Sequence, residues 1–201
     1  VQTGKEHKRF EKKPYRGVFA FSADGKQLLV GQVRGNDHLL YLLDASTGTE
    51  LKKLEGHLGY VTDAVFSPNN QYVLSGSVDK TLSLWDAQTG KELKILEGHW
   101  GSVQSIAFSL DGQTAFSGST DGAIRAWSIP AGQPLFEMKS AIHPLIHSIA
   151  VSPDSKHLLS GAYSDMEKDS LLLWDLKNKT PIQTFQAYTN SVIDAKFSLD
   201  G

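Results

Sequence analysis

The sequence predicts an all-β chain built from repeated four-stranded antiparallel sheets, and three observations carry that expectation. Segments echo one another at a spacing of about 42 residues: Gly56-His57 returns as Gly98-His99, Phe66-Ser67 as Phe108-Ser109, Ser75-Gly76-Ser77 as Ser117-Gly118-Ser119, Asp79 as Asp121 and Trp85 as Trp127. Self-similarity at this period marks supersecondary units that bury their apolar faces only against one another. Within a unit, short apolar runs are separated by turn residues at intervals of about ten, the spacing of an antiparallel meander. Apolar residues also fall on both faces of several runs, Val73 beside Leu74 and Leu84 beside Trp85, as in a sheet covered on both sides.

Taken in order, residues 1–12 read as the outer strand of a truncated preceding unit, because Thr3-Gly4-Lys5-Glu6 matches Thr89-Gly90-Lys91-Glu92. Residues 13–56 form an eroded unit. It keeps Phe21-Ser22-Ala23-Asp24-Gly25 and Asp44 but has Val30 in the place of Ser75 and Leu43 in the place of Trp85. Residues 57–98 form the clearest unit, with strands expected at Val61–Phe66, Gln71–Ser75, Thr81–Trp85 and Glu92–Leu96. Its turns are Ser67-Pro68-Asn69-Asn70, Ser77-Val78-Asp79-Lys80 and Ala87-Gln88-Thr89-Gly90.

Residues 99–140 repeat the plan with strands at Val103–Phe108, Thr114–Ser117, Ala123–Trp127 and Pro134–Met138. Residues 141–186 are centred on Ser160-Gly161 and Trp174-Asp175, and the turn Thr120-Asp121-Gly122 is lengthened there to residues 163–169. Residues 187–201 end in Phe197-Ser198-Leu199-Asp200-Gly201, matching Phe108 to Gly112, and read as the first strand of a truncated following unit. About four units with a partial one at each end are therefore expected, a fragment of something larger.

Bulk properties narrow the function classes. A chain of 201 residues with 40% hydrophobic content is large enough for a substantial core. A net charge of −2 and a pI near 6.4 give no general attraction to nucleic acid or an anionic membrane. No apolar run approaches the roughly 18–20 residues of a membrane span, and no signal peptide precedes the first strand. The absence of cysteine excludes disulfides, thiolate metal sites and cysteine nucleophiles, and agrees with a reducing cytoplasm, the expected location. The chain starts at Val1 rather than Met, so a native N-terminus upstream is expected.

A Ser, a His and an Asp recurring together invite a hydrolase reading. Here they recur with a Trp in copy after copy, and no Gly-x-Ser-x-Gly nucleophile elbow is present. A structural role explains the set better. A Trp buries a large apolar surface but carries one indole N–H that needs an acceptor. A Ser hydroxyl accepts that bond and donates to an imidazole, whose other nitrogen donates to the Asp.

Gly-His, the Phe-Ser-Pro-Asp-Gly type of turn, Ser-Gly-Ser-x-Asp and Trp-Asp about 28 residues after the His together resemble the WD40 repeat. The regular Phe-Ser-x-Asp-Gly and Thr-Gly-Lys-Glu phrasing is similar to bacterial members. The resemblance implies a β-propeller of four-stranded blades around a central channel, most often seven, with one blade completed from both chain ends. It also implies hydrogen-bonded tetrads at His57, Ser75, Asp79 and Trp85, and at His99, Ser117, Asp121 and Trp127. In the last unit Ser160, Asp169 and Trp174 match, while Ile142-His143 stands in a shifted register where Gly-His is expected.

Other patterns carry less. His143 and His147 sit four apart, but Pro144 lies between them and the segment leads into a strand, so loop and strand-start residues are expected rather than a metal pair. Asp165, Glu167 and Asp169 lack an EF-hand frame and read as a solvated hairpin tip. Asn178-Lys179-Thr180 fits a glycosylation sequon, meaningful only in a secreted chain. Lys5, Lys8, Arg9, Lys12, Lys13 and Arg16 make the start basic against Glu6 and Glu11 alone. That fits an outer edge strand, with an acidic partner or nucleic acid as the other reading.

The connections into the first strands and the second-to-third-strand turns fall at one end of the units. They carry Leu58, Tyr60 and Val78 in one unit and Trp100, Ser102 and Thr120 in the next. Exposed aromatics beside small residues are what a protein-binding hot spot looks like; packing on neighbouring loops is the other reading. The sequence thus predicts a non-catalytic scaffold for protein or peptide partners, with no nucleic acid, membrane, small-molecule substrate, cofactor or metal. The alternative is the recruitment region of a larger signalling enzyme such as a kinase or protease.

Overall fold

The computed structural model describes residues 15–34, 37–139, 145–162, 170–186, 192 and 194–198, and their regular structure is entirely β-strand. The strands are β1 Tyr15–Phe21, β2 Gln27–Arg34, β3 Asp37–Asp44, β4 Glu50–Leu54, β5 Val61–Phe66, β6 Tyr72–Ser77, β7 Leu82–Asp86 and β8 Glu92–Leu96. They continue as β9 Val103–Phe108, β10 Thr114–Ser119, β11 Ala123–Ser128, β12 Pro134–Lys139, β13 Ile146–Val151, β14 His157–Ala162, β15 Ser170–Asp175 and β16 Thr180–Gln186. Each consecutive set of four forms one antiparallel sheet with its strands in chain order. Residues 1–12, the 163–169 turn with Asp165, Glu167 and Asp169, and His143 lie outside the described residues.

Three strand boundaries differ from expectation for a local reason. β6 and β10 run on to Ser77 and Ser119 rather than stopping at Ser75 and Ser117, because Gly76 and Gly118 remain paired in the ladder with Asp63 and Ser105. β7 starts at Leu82, not Thr81. The Thr81 backbone N–H and hydroxyl are both committed to Asp79 Oδ1, at 2.9 and 2.6 Å.

The first turn of every sheet is built alike. Ser22, Ser67, Ser109 and Ser152 are buried, and their hydroxyls donate to Asp24, Asn69, Asp111 and Asp154 at 2.6–2.7 Å. The same hydroxyls accept the backbone N–H of Gln27, Tyr72, Thr114 and His157, a side-chain mimic of a backbone turn. A residue in the left-handed region follows, glycine at Gly25 and Gly112 but Asn70 (φ 58°) and Ser155 (φ 55°) elsewhere. The two non-glycine residues reach across to the preceding sheet: Asn70 accepts the Ala23 N–H at 2.7 Å and Ser155 the Leu110 N–H at 2.9 Å.

Alternation along the strands sends neighbouring side chains into different layers. Val73 and Trp85 join Leu29, Leu40, Leu42 and Leu54 of the first sheet, while Leu74 and Leu84 join Val103, Ile106 and Trp127 of the third. Phe116, Ile124 and Met138 continue the stack onto Ile146, Ile149 and Trp174. The second and third sheets are therefore sandwiched. In the eroded first sheet Val30 and Leu43 are buried with Leu28 and Tyr41, an apolar pair at the positions that carry Ser and Trp elsewhere. Such a pair needs no hydrogen-bond partner.

The stacking distance is set where the first strand of one sheet crosses the second strand of the sheet before it. A methyl group on Gly76 would lie 2.5 Å from Val103 Cγ1, one on Gly118 2.6 Å from Ile146 Cγ2, and one on Gly161 2.6 Å from Val192 Cγ1. Val192 also donates its backbone N–H to Ala162 O at 3.3 Å, so Val192 meets Gly161 as Val103 meets Gly76. Substituting Gly118→Ala is expected to cost about 1–3 kcal/mol in urea unfolding through overpacking. Ile146→Ala, which removes that Cγ2, should cost less in the Gly118→Ala background than in the wild type; a neutral Gly118→Ala would remove the close-approach account.

Candidate functional site

The candidate site grows outward from the buried indoles. Trp85 donates its indole N–H to Ser75 Oγ at 2.8 Å, and Ser75 Oγ lies 2.8 Å from His57 Nε2. His57 Nδ1 in turn lies 2.8 Å from Asp79 Oδ2, where the imidazole donates. The third sheet repeats the relay at nearly the same distances. Trp127 donates to Ser117, the Ser117 hydroxyl meets His99 Nε2, and His99 Nδ1 meets Asp121 Oδ2, at 2.9, 2.8 and 2.9 Å. In the fourth sheet Trp174 donates to Ser160 Oγ at 2.9 Å, and Asp169 lies outside the described residues. All three indoles and all three serines are buried.

The relay does not stop inside. Asp79 Oδ2 accepts the backbone N–H of Leu58, and Asp121 Oδ2 that of Trp100, both at 2.9 Å. Each carboxylate thereby holds the loop that leads into the first strand of its own sheet. A second tie comes from the backbone: Val78 donates its N–H to Tyr60 O at 3.0 Å and Thr120 to Ser102 O at 2.9 Å. The loops pass so close over these turns that a methyl on Gly59 would sit 2.7 Å from Val78 Cγ2, and one on Gly101 2.5 Å from Thr120 Oγ1.

The outcome is a set of exposed apolar side chains on doubly tied loops. Leu58 is 88% exposed and Trp100 81%, with Tyr60 at 43% and Val78 at 37%, while Ser102 and Thr120 are half-buried. Tyr60 packs edge-on against His38 of the first sheet, ring centroids 4.8 Å apart. The hydrogen bonds bring together Leu58, Tyr60 and Val78 within one sheet, and Trp100, Ser102 and Thr120 within the next. Gly59 and Gly101 are as necessary to this arrangement as the side chains they flank, and their recurrence one repeat apart was the readable signal for them. Arg125, which also reaches Asp121, had no counterpart in the repeat to reveal it.

Electrostatics follow the geometry. Burial raises the Asp79 carboxyl, but hydrogen bonds from His57 and Thr81 outweigh it and hold the group well below the ordinary carboxylate range. Asp121 behaves alike: burial opposes ionisation, and the Trp100 N–H, His99 and the Ala123 N–H reverse it. Burial pushes His99 below the ordinary histidine value of 6.5 against the pull of Asp121, so its imidazole is neutral at neutral pH.

At the other end of the sheets, β1, β5, β9 and β13 and residues 194–196 surround a cavity of about 570 Å³. Asp63 lines it and accepts the Ile106 N–H at 2.8 Å, as Ser105 accepts the Ile149 N–H at 3.1 Å. Burial, with the Asp194 charge adding to it against those bonds, raises Asp63 to about 6. Among the described residues no group of three or more His, Asp or Glu is placed to hold a metal ion, and no helix is long and apolar enough to cross a membrane.

The family model for the WD domain, G-beta repeat, matches residues 48–86, 90–128 and 132–175. Each match opens just before the outer strand of one sheet and closes at or beside the end of the third strand of the next, so the matched unit bridges two sheets. No curated protein matches the chain.

The two depressed carboxylates contribute stability that is present above their unfolded value of 3.8 and is lost as pH falls through their folded values. Asp121→Asn should therefore lower stability at pH 7 by about 1–3 kcal/mol and flatten the acid limb of an unfolding profile below pH ~4. Asp63 has the opposite sign. Its raised folded value makes ionisation a cost that grows from 3.8 to about 6, so Asp63→Asn should stabilise the protein at pH 8 by up to about 3 kcal/mol and leave it unchanged at pH ~3. A pH-independent effect of either substitution would contradict these assignments.

Proposed function

The chain belongs to the WD40 repeat family, and on that premise we propose that it is a rigid, non-catalytic platform that binds protein or peptide partners through the loop end of its sheets. WD40 domains generally serve protein–protein interaction, and what singles out the surface in this chain is one observation. Leu58 and Trp100 occupy the same place in adjacent repeats, each almost fully exposed while the backbone beneath it is tied to a half-buried carboxylate.

Exposure of a large indole costs solvation free energy, and an immobilised loop loses little conformational entropy on binding. Both properties favour a pre-organised contact surface in which a few aromatic and aliphatic anchors supply most of the binding energy. The Ser, His and Asp of the second and third sheets are engaged in holding those loops. Ser75 and Ser117 are buried with their hydroxyls bonded to Trp and His, which supports a structural role for them over a nucleophilic one.

Affinity capture with the immobilised protein tests the reading. Trp100→Ala is expected to weaken partner retention at least about tenfold, the range of a hot-spot truncation, while the melting temperature stays within about 1–2 °C of wild type. Leu110→Ser, an exposed site at the opposite end of the sheets, serves as the control and should retain partner. Full retention by Trp100→Ala, or its unfolding by many degrees, would overturn the assignment.

A further inference from the structure

The two complete relays look interchangeable in sequence but are braced by different chemistry. In the second sheet Asp79 is steadied by a neutral neighbour, Thr81, whose N–H and hydroxyl fill Oδ1. In the third sheet Ala123 stands in the place of Thr81 and offers only its backbone N–H, at 2.9 Å. The ladder position of Ser83, opposite Ser75, is taken there by Arg125, opposite Ser117. In the fourth sheet Leu172 holds that position, opposite Ser160.

Arg125 is half-buried, its side chain 11% exposed, and its Nη1 donates to Asp121 Oδ2 at 2.9 Å. That oxygen also receives His99 Nδ1–H and the Trp100 backbone N–H. The other arm of the guanidinium, Nη2, pairs at 2.5 Å with Glu137 on the outer strand β12, and Lys139 pairs with Glu137 at 3.0 Å. A forked guanidinium satisfies two carboxylates in one fixed plane, which a lysine cannot do. One connected set of charges therefore runs from the rim of the third sheet to the amide that carries Trp100.

We propose that Arg125 is a positioning residue for the Trp100 contact, fixing the loop 98–102 through Asp121 and linking that loop to the ion pair with Glu137 at the rim. The proposal rests on the reading of Trp100 as a partner contact. The exposed tip of the third sheet is held by charge and that of the second by neutral hydrogen bonds, so only the former responds to removal of a cation. A cation beside His99 also disfavours a second positive charge on the imidazole. The groups facing that ring are Asp121, Arg125, Glu137, Ser117 and Trp127.

The test compares backbone amide hydrogen exchange at Leu58 and Trp100, and the NMR titration of His99, in the wild-type chain, Arg125→Met and Glu137→Gln. Arg125→Met should speed exchange at Trp100 roughly tenfold or more, the worth of a charge-assisted bond, with Leu58 unchanged, and should shift the His99 titration upward. Glu137 is 38% exposed, so Glu137→Gln removes the rim pair without emptying a core site and should give a smaller change of the same sign. It carries the test should Arg125→Met fail to fold.

Wild-type exchange at Trp100 in Glu137→Gln and in any folded Arg125→Met, or equal acceleration at Leu58 and Trp100, would overturn the proposal. Loss of capture in Trp100→Ala alongside unchanged exchange would overturn the positioning role and leave the binding face standing. Faster exchange alongside intact capture in Trp100→Ala would overturn the binding face, and the proposal with it.

Discussion

A buried indole N–H that must find an acceptor is the constraint on which the rest of this structure depends. Trp85 and Trp127 each fill the gap between two sheets, and neither can leave its one donor unpaired without a cost of about 1–3 kcal/mol. The serine hydroxyl that accepts it cannot be left half-satisfied either, which calls in the imidazole and then the carboxylate. The carboxylate is the last member that reaches solvent, and its spare lone pairs take the backbone N–H of Leu58 or Trp100. A requirement of the core is thereby passed along four side chains to the loop at the surface.

Stability and the proposed recognition surface thereby depend on the same residues without being the same property. The Ser, His and Asp look like catalytic machinery because they are a hydrogen-bonded polar set in an apolar surround. Their burial and full engagement are what an interior network requires. The residues with free surface are the ones those bonds present. Leu58 and Trp100 touch solvent and hold nothing, so they can differ between repeats while the relay beneath them does not.

Departures from the repeat carry the individuality of the molecule. The first sheet drops the relay by placing Val30 and Leu43 at the Ser and Trp positions, removing donor and acceptor together. The third sheet keeps it but exchanges a threonine brace for an arginine that reaches the rim. Asn70 and Ser155 accept a strained backbone conformation where glycine stands in the other two turns, and each uses its side chain to reach the neighbouring sheet. At the inner strands Asp63 takes a role that Ser105 fills without charge.

The sequence by itself determined the strand plan, the recurrence of the relay and the stacked architecture. Each of these is fixed by residue type at short range: period-two apolar patterning, turn chemistry, and a Ser-Gly-Ser followed by Asp and Trp at constant offsets. It also pointed to Leu58 and Trp100 as odd residues in a regular pattern. Only the tertiary structure decided that both are exposed, because exposure depends on what the neighbouring loops leave uncovered. Arg125 meeting Asp121 and Glu137, and burial raising Asp63 to about 6, were likewise decided by long-range approach. Charges distant in the chain interact strongly only once the sheets have excluded water from between them, and no local pattern records that.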